Sequence, residues 1–167
     1  ATTYPNIKDS NVGKPIPIAY GVIKNAPVIC TNEEEDPAPA NYDFKLCDTT
    51  DHAIDEITQV YVDGVEVSTS ASSLANGTFS LAAADYDPGD DVTCDFKGFE
   101  DAGGTLIENG LDVIADLLLN YYNTAFNANF YNLDHWDDTD APDIGIFIDK
   151  EKELIEIIGE IAETVQG

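Results

Sequence analysis

Gln59-Val60-Tyr61-Val62-Asp63-Gly64-Val65-Glu66-Val67 writes a complete β-hairpin into one short stretch of chain. Its arms are built from β-branched and aromatic residues. The central Asp63-Gly64 supplies the two positive-φ positions that a two-residue turn requires. The same grammar extends outward. Asn76-Gly77 precedes Thr78-Phe79-Ser80-Leu81, and the turn Asp87-Pro88-Gly89-Asp90 precedes Val92-Thr93-Cys94-Asp95-Phe96-Lys97-Gly98-Phe99, an alternating strand. Upstream, Gly13-Lys14-Pro15-Ile16-Pro17-Ile18-Ala19-Tyr20-Gly21 is barred from helix by its prolines, which fix φ and push the preceding residue into the extended region. Ile16, Ile18 and Tyr20 then share one side of an extended segment that bends at Gly21. Further strands are predicted over 16–20, 27–31 and 43–47. Short strands with turns at this spacing argue for a compact antiparallel sheet or barrel.

The pattern changes at residue 107. Ile107, Leu111, Ile114, Leu118 and Tyr121 or Tyr122 recur at helical spacing, with Asn109 placed to cap and Asp112 three residues on. Val113, Leu117 and Leu119 widen the apolar face. Ile144-Gly145-Ile146-Phe147-Ile148 reads as a buried strand. Asp149 is the expected cap of a last helix in which Leu154, Ile157, Ile158, Ile161 and Val165 form a stripe, expected to pack on its own domain. The expected fold class is therefore α+β: mainly antiparallel β sheet or barrel, with two amphipathic helices over about 109–123 and 150–165. The aromatic and polar stretch 120–143 lacks periodicity and marks a junction. It divides the chain into a β-rich module, 1–133, and a strand–helix unit, 134–167.

Thirty-three acidic residues face 7 lysines, with no arginine, for a net charge of −26. Phosphate and base readers need basic side chains, so nucleic-acid binding is excluded as a function class. The acidity fits a solubilising surface, a conduit wall that repels nucleic acid, or divalent-ion binding. No apolar run approaches the roughly 18 residues that span a bilayer. The chain contains no methionine, which points to an internal fragment or processed product. Cys30, Cys47 and Cys94 lie in or beside apolar strand-like runs without metal-ligand spacing, and core packing is their favoured role over a disulfide pair. The loop Thr31–Ala40, with Glu33-Glu34-Glu35-Asp36 and two prolines, reads as solvated and is assigned no chemistry.

The motifs of common catalytic sites are missing: no nucleophile elbow, P-loop, dinucleotide fingerprint or zinc helix occurs. His52, in Asp51-His52-Ala53-Ile54-Asp55, is expected at the surface or as a local cap partner. His135-Trp136 sits in an acidic loop. Carboxylates are too many to single out a glycosidase pair. The expectation is no enzyme and no obligatory cofactor. Calcium is the chemical alternative, because hard cations take six to eight oxygens. Two loops offer them: Asp85, Asp87, Asp90 and Asp91 in the first, Asp134, Asp137, Asp138 and Asp140 in the second. Neither has EF-hand spacing. A calcium-dependent cell-surface or adhesion module is the corresponding rival function.

Three stretches carry a resemblance. The Gly13–Gly21 run followed by Asn25-Ala26-Pro27-Val28-Ile29 resembles the opening of phage tail-tip and baseplate-hub proteins. Phe99–Leu118, with Glu108-Asn109-Gly110 before Asp112-Val113-Ile114, is similar to their strand, loop and helix, with Gly110 where those proteins often carry proline. Ile144–Gly167 is similar to their unit in which a strand and helix open a new hub module. The stretches follow the order of that family and extend through nearly the whole chain. The resemblance implies a structural virion protein at the tail tip, assembled as a ring, a homotrimer in the parent assembly, in contact with other tail proteins.

Overall fold

The computed structural model describes residues 4–122, 142–150 and 152–166. Two four-stranded antiparallel sheets form the body. The first has the order β2 (Val22–Pro27), β9 (Val92–Phe99), β5 (Ile54–Val62) and β6 (Val65–Val67). The second runs β3 (Ile29–Cys30), β4 (Asn41–Lys45), β8 (Thr78–Ala82) and β7 (Ala71–Ser73). Both sheets are open, so of the two expected arrangements the described residues form sheets and not a closed barrel. Val28 alone separates β2 from β3, and its N–H still bonds Val92 O at 3.4 Å, so the chain passes from one sheet to the other at this corner.

The Asp63-Gly64 hairpin forms as written: Val62 pairs with Val65, and both turn residues have positive φ. β5 is longer than the predicted 59–62 and reaches back to Ile54. Val22–Ala26, which leads into the strand expected from Pro27, and Ala71–Ser73 were not anticipated as strands, because Lys24, Asn25 and the small polar residues of 71–73 carry little strand signal. Both are edge strands, where such residues are tolerated. One apolar core unites the sheets: Phe44, Leu46, Phe79 and Leu81 from one side, Ile54, Val60, Cys94 and Phe96 from the other. Phe44 stacks on Phe79 at 5.1 Å, and Tyr86 meets Phe44 edge-on. All three cysteines are free thiols buried in this core.

A second assembly closes over one end of the body. β1 (Ile18–Tyr20) pairs antiparallel with β10 (Ile146–Ile148), joining stretches more than a hundred residues apart. The crossing is close. A Cβ on Gly98 would strike the carbonyl of Ala19, one on Gly21 the carbonyl of Ile144, and one on Gly145 that of Val22. α1 (Gly110–Leu117) starts at Asn109, whose side chain accepts the Leu111 N–H at 3.0 Å, and it runs on through a wider π turn over Leu118–Tyr122. Val113, Ile114 and Leu117 are buried, but Leu119, read as part of that face, points outward. α2 (Leu154–Gln166) packs against α1 through a stripe that buries Ile157 and Ile161. The helix begins later than expected. Its first turn is closed by the Ile157 N–H on Glu153 O, which leaves Asp149 well before the cap position.

Candidate functional site

The densest polar constellation joins β1, α1 and the segment entering β5. Tyr20, at the end of β1, donates its hydroxyl to Asp116 Oδ2 at 2.6 Å. His52 Nε2 lies 2.9 Å from Asp116 Oδ1, and Asn120, one turn along, donates to the same oxygen at 2.8 Å. His52 Nδ1 faces the carbonyl of Glu100 at 3.1 Å, while the ring lies on Phe99 at 5.4 Å. Tyr20 meets Phe99 edge-on at 5.2 Å, so one phenyl ring supports both polar partners.

The geometry follows from local structure. Tyr20 is wholly buried because β1 lies across β9. Asp116 stands one turn before Asn120 on one helix face, so both side chains reach the same point. His52 sits in the chain just before β5, beside Glu100 at the far end of β9, which is tied in by the Glu100 N–H on Ala53 O. Both ring nitrogens of His52 are engaged, Nδ1 at the Glu100 carbonyl and Nε2 between Asp116 Oδ1 and the Asn120 amide at 3.1 Å. Burial raises the Tyr20 hydroxyl far above the usual phenol range, and the bond to Asp116 adds to this. Tyr121 is raised as well, by burial and then by Asp48, Asp51 and Asp116. Both phenols therefore stay protonated, and Tyr20 remains a donor.

The cluster's chemistry is limited by its completeness. Asp116 has three polar partners, Tyr20, His52 and Asn120, and both nitrogens of His52 are engaged, so drawing a proton from a substrate would break a contact already made. The side chains of His52 and Asp116 are each only 14% exposed. The arrangement fastens β1 and α1 to the body. It also corrects the expectation for His52, which is neither a surface residue nor a cap partner; Phe99 and Asp116 draw it inward.

The first proposed calcium loop is a turn that uses its own acids. Asp90 Oδ2 accepts the Asp87 N–H at 2.9 Å, and Asp90 N–H returns to Asp87 O. Asp91 and Asp63 exchange bonds between this turn and the hairpin, with Asp63 Oδ1 accepting from Asp91 N–H at 3.0 Å. Asp85, Asp87 and Asp91 are exposed and Asp90 is half-buried; Asp90 and Asp91 line a polar hollow of about 180 Å³ with Glu33, Cys30 and Tyr86. Among the described residues no group of three or more His, Cys, Asp or Glu is disposed to hold a metal ion. Asp134, Asp137, Asp138, Asp140 and His135-Trp136 lie outside the described residues, as does the 133/134 boundary.

The thiols offer no nucleophile at neutral pH. Burial pushes Cys30 up to about 11 and both Cys47 and Cys94 up to about 12. Sequence reasoning missed Asp116 and Tyr20 as partners, since nothing local marks residues 96 positions apart. No known family, curated protein or solved structure matches this chain.

Proposed function

We propose that this chain is a non-catalytic structural component of a phage tail tip or baseplate hub. It would sit in the virion tail as a ring around the DNA-ejection channel and join other tail proteins, as a homotrimer in the parent assembly. One observation carries the reading: the three stretches that resemble the family, scattered through the sequence, form one contiguous unit. Strand Ile18–Tyr20 of the first pairs with Ile146–Ile148 of the third. The second stretch is tied to both, through Gly21 N–H on Ile107 O at 3.0 Å and Ile144 N–H on Glu108 O at 2.7 Å. Tyr20 and Asp116 fasten the first to the helix of the second. A shared order of weak motifs has more weight when the motifs pack on one another than when they lie on separate surfaces.

The reading gains from the saturated polar cluster, which suits a scaffold, and from a charge that disfavours holding DNA. Immunogold electron microscopy with antibody to this chain, on particles induced from the source strain, tests it. Label confined to the tail tip is expected. Label on the cell envelope with bare tails would overturn it and favour the calcium-dependent adhesion module.

A further inference from the structure

In a chain this acidic an exposed ammonium has many carboxylates to choose from. Four of the seven lysines pair with them: Lys8 with Glu33, Lys24 with Asp95, Lys97 with Asp55 and Glu56, and Lys152 with Glu160. Lys45 is buried and donates to Asn76 O and Thr49 Oγ1. Lys14 and Lys150 remain. Among the described residues neither makes an ion pair, and Lys14 binds only the neutral Asn11 Oδ1, at 2.7 Å. Both line the same concavity, of about 440 Å³, between the N-terminal proline run and the segment after β10.

The walls of that concavity are apolar: Pro15, Pro17, Pro27, Val28 and Ile29. Next to it, sharing Lys14 and Ile29, lies a smaller hollow of about 160 Å³ where Val12 and Ile16 stand 51% and 37% exposed. Ile29 lies on β3, the outer strand of its sheet. Among the described residues that line it, Asp149 is the one carboxylate beside the two ammoniums.

The geometry points to a docking groove for an extended peptide segment of a partner protein, with an apolar, proline-tolerant centre flanked by carboxylates. The lysines take the carboxylates, and the proline and aliphatic walls take the centre. Charge decides between this occupant and a membrane or nucleic acid. A broad polyanion would meet the field of the whole chain, at −26. A segment with two carboxylates responds mainly to charges within a Debye length, about 8 Å at physiological salt. The inference does not depend on the proposed function.

The test is an amide ¹H–¹⁵N NMR titration of the full chain with acetyl-Glu-Val-Pro-Ile-Glu-amide and with its neutral counterpart, acetyl-Gln-Val-Pro-Ile-Gln-amide. Saturable shifts are expected at Gly13, Lys14, Val28, Ile29 and Lys150. The neutral peptide should bind about tenfold more weakly, as should the acidic peptide to a Lys14→Gln, Lys150→Gln chain. Both positions are exposed, so the variant should keep its fold, which its own spectrum reports. Equal affinity for the two peptides, shifts elsewhere, or no saturable shift would overturn the inference. So would sedimentation of the chain with phosphatidylserine vesicles while the peptide leaves these amides unmoved.

Discussion

In the two four-stranded sheets the contacts that matter are between apolar side chains on neighbouring strands. Phe44 lies flat on Phe79, Tyr86 closes on both Phe44 and Tyr42, and hairpins join β5 to β6 and β7 to β8. In the clasp of β1, β10 and α1 the partners come from opposite ends of the described chain. They meet through backbone close enough to exclude a Cβ and through a carboxylate that collects a phenol, an imidazole and an amide. The body tolerates error as an apolar core does, at a cost set by volume. The clasp depends on particular atoms at particular places, so small chemical changes there should act out of proportion to their size.

That contrast breaks most visibly in the body. Phe79→Ala empties a fully buried ring site and should cost about 3–5 kcal/mol, melting sheets and clasp together in one urea transition. Gly21→Ala adds a single methyl, yet Gly21 holds φ near +65° and faces the Ile144 carbonyl. It should cost about 3 kcal/mol and strip hydrogen-exchange protection from the β1–β10 ladder while β5 and β9 keep theirs. Equal loss of protection everywhere would erase the distinction between the two regions. Asp116→Ala leaves the Tyr20 hydroxyl buried without its acceptor and should cost about 2 kcal/mol. Tyr20→Phe, which leaves Asp116 its other partners, should cost about half as much. A Tyr20→Phe effect as large as that of Asp116→Ala would mean the carboxylate is not the hub of the cluster.

Asp95, on β9, sharpens the comparison through pH. Burial alone would raise its pKa. The Asn25 N–H at 2.8 Å, the Lys24 ammonium at 3.0 Å and the Tyr61 hydroxyl more than offset that and hold the carboxyl below the ordinary range. The folded value lies under the unfolded one, so this stabilisation is complete above the ordinary carboxylate range and is lost as pH falls through the folded value. Urea midpoints should fall on acidification, and Asp95→Asn should flatten that acid limb. An unchanged limb would show that other carboxylates govern it. The smallest effect belongs to the turn Asp87–Asp90. Asp90→Ala removes one side-chain bond to backbone and should cost about 0.5–1 kcal/mol, by the same amount with or without added calcium. A cost that grows when calcium is present would restore that loop as an ion site.

The body was legible in the sequence because its signals are local. Asp63-Gly64 fixes a hairpin by itself, alternation in Val92–Phe99 fixes a strand face, and Asn109 fixes a helix start. The edge strands escaped notice, since Lys24 and Asn25 in one and Ala71-Ser72-Ser73 in the other are held by their neighbours and not by propensity. The polar cluster was illegible for a related reason. His52, Tyr20, Asp116 and Asn120 become neighbours only after β1 has crossed β9 and α1 has docked, and no spacing along the chain encodes that meeting. Charge was legible in total but not in placement. Which lysines would go unpaired, and that both would face one hollow, is a property of the folded surface.

The pairing of β1 with β10 also sets a schedule. Ile18-Ala19-Tyr20 leaves the ribosome more than a hundred residues before its partner strand. At cellular elongation rates that interval is on the order of ten seconds, far longer than a hairpin needs to form. The sheets therefore have time to assemble behind an apolar segment that still waits for its mate. During that interval the waiting strand is open to any other extended chain that reaches it first, and the nascent protein is most exposed to misassembly there.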